Sequence, residues 1–163
     1  MEYFLNFEKM AYIKGSRPAG CILCLIKEGA EEVVNLTVHT GKNLTICVNL
    51  YPYNPGHVMI FPHRHITDIR EYTQDEAGEL HELTQATLDV LDKTHGPAGY
   101  NIGYNMGGAA GGSIDHLHRH VIPRYPRETG ISDLIAGKRV LVESPFRTTE
   151  RLKEAFLSRF SGK

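Results

Sequence analysis

Apolar and polar residues alternate with different periods along the chain, and each change of period marks an element. Residues 33–40, "VVNLTVHT", and 43–50, "NLTICVNL", alternate with a period near two, and Gly41-Lys42 separates them. This predicts a β-hairpin, because successive side chains of a strand point to opposite faces. "YPYNPG" (51–56) is rich in turn formers and predicts a loop, and "HVMIF" (57–61) predicts a third strand ended by Pro62. The period then lengthens. Leu80, Leu83, Thr87, Leu88 and Leu91 recur at helical spacing within residues 74–95. Thr73 and Glu76 form a capping box at its start, and Gly96-Pro97 ends it. Glu79, Glu82, Asp89 and Asp92 fall on the opposite face, read as solvated surface.

Alternation returns in "GYNIGYNMGG" (99–108). Tyr100, Ile102, Tyr104 and Met106 share a core side; Asn101, Gly103 and Asn105 share a small polar side. A glycine loop, "GGAAGGS" (107–113), leads to a last strand within "DHLHRHVIPR" (115–124), and "TTERLKEAFLSRF" (148–160) predicts a C-terminal helix. "CILCLIKEG" (21–29) reads as a short turn or helix. The order β-β-β-α-β-β-α, with short links, predicts a mostly antiparallel α+β fold. The 163 residues suit one domain spanning 1–163. Within it, 1–20 is an N-terminal arm, with Tyr3, Phe4, Leu5 and Phe7 available to pack, and 126–163 is a C-terminal extension over the site or a subunit interface.

Composition narrows the partners. A net charge of −1 argues against general nucleic-acid binding, although Arg119, Arg124 and Arg127 form a local basic cluster. No apolar run approaches the roughly 20 residues that span a bilayer, and the acidic, short-cored start is a poor signal peptide. The expectation is a cytoplasmic protein with no membrane partner. Three cysteines are too few for a disulfide scaffold, and the C-x-x-C of Cys21 and Cys24 suggests metal or redox chemistry.

The last strand carries the chemistry. His116, His118 and His120 stand at every second position, which in a strand places them in a row on one face. Leu117 and Val121 face the other way, and so does Arg119, a charge where an apolar residue is expected. The row admits a polar surface strand, a metal site, or a phosphate site. The preceding "MGGAAGGS" favours the last, since glycine lets backbone N–H groups close around an anion. A neutral imidazole beside such a cradle can attack phosphorus and form a phospho-histidine intermediate. The C-x-x-C likewise admits two corners of a zinc site, a redox pair or two plain thiols. His63, His65 and His116 are the available partners for zinc.

"HLHRHVI" resembles the His-φ-His-φ-His-φ-φ signature of the histidine triad (HIT) family of nucleotide hydrolases and transferases. The likeness extends through "NLYPYNPGHVMIFPHRHI", "GYNIGYNMGGAAGGS" and "PR", over roughly residues 20 to 125. It departs at Arg119. The resemblance implies a five-stranded antiparallel sheet with two main helices, usually paired as a homodimer. It implies that His118 is the nucleophile on the α-phosphorus, with His120 and His57 as polar partners. It further implies that Asn49 holds the ribose, Asn105 lies near the α-phosphate, and Gly111, Gly112 and Ser113 form the phosphate loop. Members that keep the C-x-x-C carry structural zinc, here on Cys21, Cys24, His65 and His116.

The family's usual substrates are purine nucleoside phosphoramidates and dinucleoside polyphosphates. The "NLYPYNPGH" loop is most similar to the branch that splits diadenosine tri- or tetraphosphate, with hydrolysis expected ahead of phosphorolysis. Magnesium can accompany such a polyphosphate. The rivals are a phosphoramidase, a nucleotide-binding module without turnover, and a zinc hydrolase whose triad itself holds metal.

Overall fold

The computed structural model describes residues 2–3, 18–128, 138–139 and 141–161. In chain order its elements are β1 (Glu2–Tyr3), α1 (Ile22–Glu28), β2 (Thr37–Thr40), β3 (Leu44–Val48), β4 (Val58–Pro62), α2 (Gln74–Thr94), β5 (Gly99–Gly103), β6 (Arg119–Arg124), β7 (Lys138–Arg139) and α3 (Pro145–Ser161). Strands β2 to β6 form one antiparallel sheet of order β2-β3-β4-β6-β5. The short β1 and β7 pair in parallel, apart from it. The arm residues Phe4, Leu5 and Phe7, and most of the extension from 129 on to 137, lie outside the described residues, as do the side chains of Tyr3, Lys138 and Arg139.

Strands β3 and β4 are buried at every position, so both faces of the sheet are covered. Their alternation divides the core. Leu44, Ile46, Val48, Val58, Ile60 and Val121 face α2 and α3, whose Leu80, Leu83, Val90, Leu91, Leu152 and Phe156 complete the larger cluster. Cys47, Met59 and Phe61 face the other way and pack with Leu23 and Ile26 of α1. His57, His116 and His120 belong to this second face.

Helix α2 follows its expected pattern. Thr73 Oγ1 accepts from the Glu76 N–H, and the Glu76 carboxylate accepts from the Thr73 N–H. Arg64 adds two 2.8 Å bonds to that carboxylate. The Arg64 guanidinium, chiefly, holds Glu76 down to about 2. Helix α3 lies along β2 and α2. His39 of β2 stacks on Phe160 at 4.2 Å, so α3 packs on this edge strand.

Four expectations are corrected. Residues 33–36 are not strand; β2 begins at Thr37, and Leu36 instead accepts from the Val48 N–H. Glu79 is not free surface, since it accepts from the N–H and side-chain amide of Asn43 at 2.9 and 2.8 Å. Ile102 is 44% exposed and Met106 37%. On this edge strand only the long tyrosines reach inward, Tyr100 to Asp92 and Leu88 of α2 and Tyr104 toward Arg119. The basic cluster also dissolves: Arg119 points inward, and Arg124 is held by Glu128 at 2.7 and 2.8 Å.

Gly56, just before β4, has φ +81, and a Cβ there would lie 3.0 Å from Leu91, 3.2 Å from Pro123 and 3.3 Å from His95. Gly56→Ala is expected to destabilise by about 1–3 kcal/mol through left-handed strain and overpacking. Urea unfolding measures it; an unchanged midpoint contradicts the packing described.

Candidate active site and metal cluster

Register builds the site. β4 pairs with β6 so that Met59 lies opposite His120 and Val58 opposite Val121. His57, one residue before β4, is therefore a diagonal same-face neighbour of His120. Their rings meet at 3.0 Å between His57 Nε2 and His120 Nδ1. The regular strand begins only at Arg119. The histidine row expected along one strand is thus bent at its start, because Leu117 N–H leaves the sheet to donate to the Ile66 carbonyl at 2.7 Å. The bend separates His116 from the other two. The His118 and His120 rings lie 4.7 Å apart, edge to face, whereas His116 turns toward Cys21 and Cys24.

Backbone groups assign the ring protons. A peptide N–H only donates and a carbonyl only accepts. Tyr53 N–H donates to His57 Nδ1 at 3.1 Å, so the proton of neutral His57 is on Nε2 and goes to His120 Nδ1. The proton of His120 is then on Nε2, a buried atom with no hydrogen-bond partner among the described residues. His118 Nδ1–H donates to the His116 carbonyl at 2.7 Å, which leaves His118 Nε2 with a bare lone pair. Burial keeps these rings neutral. It is the main cause that lowers His57 to about 3 and His120 to about 4, with neighbouring imidazoles adding to it, and it lowers His118 as well. One uncharged ring with a free lone pair thus stands beside another with an unpaired donor.

The second group is a set of four side chains that could hold a metal ion. Cys21 is the N-cap of α1 and Cys24 lies one turn on, so both thiols share a side of that short helix. Cys21 Sγ lies 3.3 Å from His116 Nδ1; Cys24 Sγ lies 3.5 Å from His65 Nδ1 and 3.6 Å from His116 Nδ1. All four ligand atoms fall within 4.8 Å of one another. A tetrahedral zinc with its usual bond lengths needs sulfur-to-nitrogen edges of about 3.6 Å. His116 Nε2–H donates to the Pro62 carbonyl at 2.9 Å, which turns its Nδ1 lone pair to the sulfurs. Burial, and then the neighbouring Cys21, push the Cys24 thiol up to about 11, a cost that a cation would reverse. The cluster can hold a metal ion, and it takes from His65 and His63 the former; His63 bonds Thr45 instead.

The remaining predicted residues make no hydrogen bond to the rings among the described residues. Asn49 follows β3; its N–H donates to the His57 carbonyl, and its Oδ1 accepts from the Tyr51 N–H at 2.9 Å. Asn105, Gly111, Gly112 and Ser113 belong to the glycine loop. That loop closes on itself through Gly112 N–H to the Gly107 carbonyl, 3.1 Å. No hydrogen bond among the described residues joins Asn105, Gly111, Gly112 or Ser113 to the imidazoles. Three contributors escape sequence reading: Tyr53, which also stacks on His57 at 5.4 Å, and the carbonyls of Pro62 and Ile66. Backbone donors and acceptors leave no mark in side-chain identity; only the turn-rich "YPYNPGH" hinted at the first.

The HIT domain family model matches residues 29–127, and the chain belongs to the HIT family. It is 40% identical over 118 residues to the "AP-4-A phosphorylase" of Mycobacterium tuberculosis, a match covering 72% of this chain and 60% of that protein. The chain thus matches well under two thirds of that relative's length. An asymmetrical bis(5'-nucleosyl)-tetraphosphatase of Schizosaccharomyces pombe is 33% identical over 88 residues, covering 54% of this chain and 48% of the relative. In fold, the chain is similar to a Zn-bound histidine triad family protein from Mycobacterium smegmatis, with a TM-score of 0.68 at 21% identity over 88% of this chain and 98% of that one.

Cys24→Ser is expected to abolish metal binding and lower thermal stability. Elemental analysis of chelator-free protein and a melting curve with and without added zinc test this. Wild-type protein that retains no metal and gains no stability from zinc would rule the cluster out as a metal site.

Proposed function

We propose that the chain is a nucleotidyl hydrolase or phosphorylase that acts on the α-phosphate of a dinucleoside polyphosphate such as diadenosine tetraphosphate. The observation that carries this reading is the pair formed by the bare His118 Nε2 and the unpaired, buried His120 Nε2–H. A buried donor without a partner is costly, and a phosphoryl oxygen would satisfy it. His118 Nε2 attacks the α-phosphorus, and the bond to the bridging oxygen breaks. The nucleoside polyphosphate, ATP from diadenosine tetraphosphate, departs with the electron pair, leaving the adenylyl group of AMP on His118. The second step transfers AMP to water or to inorganic phosphate and frees His118 again. His120 donates to a nonbridging oxygen throughout, and His57 holds it in that tautomer. The Gly111 and Gly112 N–H groups are held by the loop's own carbonyls, so these glycines shape the loop, with Asn105 and Ser113 beside the α-phosphate and Asn49 on the ribose.

The relative with the phosphorylase name favours phosphate as acceptor and the tetraphosphatase favours water. We assign zinc to Cys21, Cys24, His65 and His116, where it would cross-link α1, the segment after β4 and the approach to β6 without taking part in the chemistry. Magnesium would travel with the polyphosphate. Among the described residues no helix is long and apolar enough to cross a membrane. The open edge of β5, with Ile102 exposed, is the surface through which we expect a second copy to pair.

Product analysis with diadenosine tetraphosphate decides the reaction. Hydrolysis yields AMP and ATP; phosphorolysis yields ADP and ATP, and only when phosphate is present. His118→Ala should lose turnover by at least about 1,000-fold, the scale of removing a nucleophile that works as part of a unit, while AMP still binds. Unimpaired turnover by that variant would refute the reading. Ile102→Lys should shift sedimentation from dimer to monomer; an unchanged dimer would place the interface elsewhere.

A further inference from the structure

Arg119 occupies an apolar slot of the triad signature, between His118 and His120 but on the other face of the sheet. A guanidinium in the layer between sheet and helix loses hydration, and only good hydrogen bonds offset that cost. Among the described residues Arg119 finds two, both to hydroxyls. Its Nε donates to Tyr104 Oη at 3.0 Å, and its Nη1 donates to Thr84 Oγ1 of α2 at 3.0 Å. Its guanidinium carbon lies 5.3 Å from the Tyr104 ring centroid, within cation–π range. Thr84 Oγ1 is itself fixed, donating to the Leu80 carbonyl at 2.6 Å.

Tyr104 sits at the root of the glycine loop. It follows Gly103, the last residue of β5, which pairs with His120, and it precedes Asn105. Beyond it the loop's hydrogen bonds, among the described residues, are internal. Ala110 and Gly112 donate to the Gly107 carbonyl and Gly111 to that of Gly108. A Cβ on Gly112 would lie 2.8 Å from the Asn105 carbonyl and 3.0 Å from that of Gly107. Asn105, Gly107 and Gly112 therefore move as one body. Among the described residues no hydrogen bond ties residues 105–112 to the sheet or to a helix. The pose of this body depends on its two ends, and one end is Tyr104.

We propose that Arg119 is a positioning residue that fixes the glycine loop relative to the His118–His120 pair. It acts through Tyr104, using α2 as the fixed point. An apolar side chain in the same slot would pack the strand but leave the loop root held by the packing of the Tyr104 ring alone, without the directional link to α2. The phosphate-binding consequence rests on the function proposed above; the mechanical one does not.

The test uses Arg119→Leu, Arg119→Lys, Tyr104→Phe and the double variant Arg119→Leu/Tyr104→Phe in the full chain. Nitrogen-15 relaxation reads the amides of residues 105–112. Both Arg119→Leu and Tyr104→Phe should lower the loop order parameters while those of β6 stay as in wild type. The KM for diadenosine tetraphosphate, and the Kd of AMP for the same substitutions in a His118→Ala background, should rise by about 10-fold, the size of one lost charge-assisted hydrogen bond. The first-order rate at saturation should change far less. Arg119→Lys should recover part of the affinity, and the double variant should lose no more than either single one, because both break the same link.

Loop amides as ordered in Tyr104→Phe as in wild type would overturn the proposal, whether or not any nucleotide binds. Tyr104→Phe keeps the ring and stands in should Arg119→Leu fail to fold. Additive losses in the double variant would also overturn it. Wild-type protein that neither binds AMP nor turns over the tetraphosphate would instead refute the proposed function, with the relaxation result still deciding the role of Arg119.

Discussion

The antiparallel pairing of β4 with β6 is the constraint from which the site follows. With Met59 opposite His120, the His57 ring reaches the His120 ring; a slip of one residue would send the His120 imidazole into the core beneath α2. The two faces are too different to tolerate that slip. One carries Val58, Ile60 and Val121 against a dry aliphatic cluster, and the other carries Met59 and Phe61 beside the histidines. Hydrophobic burial on the far face thus fixes a polar geometry on the near one.

Main-chain groups then decide what each ring can do. Tyr53 N–H, the His116 carbonyl and the Pro62 carbonyl each meet one nitrogen of a histidine. The result is a division of labour among rings of one chemical type. His118 presents a lone pair outward, His120 presents a proton, and His116 presents a lone pair to the thiols. A side chain can be exchanged by mutation, but these peptide groups persist unless the backbone moves, so the assignment is as durable as the fold.

Much of this was legible in the sequence, for physical reasons that can be named. The period-two runs around Ile46 and Ile60 and the helical stripe from Leu80 to Leu91 reflect burial, which dominates the energetics and leaves its mark in residue type. The four ligands of the metal set and the neighbourhood of His57, His118 and His120 were reached through a motif. Ile102 looked like core because alternation does not reveal that a strand lies at an edge. Glu79 looked solvated because its partner, the Asn43 backbone, lies 36 residues away. The bend before Arg119 was invisible because its cause is a peptide bond to Ile66. Arg119 stood out as an anomaly in the sequence, yet its partners Thr84 and Tyr104 could only be found in three dimensions.

The thiol and imidazole cluster has a meaning for how the chain comes together as well as for how it stays together. Its contacts join positions 41 and 95 residues apart. Closing such long loops carries an entropic penalty that grows with the logarithm of their length. An ion captured while the chain is still loose would settle that penalty once, and would bring the two halves of the sheet within reach before β4 and β6 have zipped. The order in which this polypeptide condenses would then vary with the free metal around it, and an ion-starved chain would linger among half-formed states.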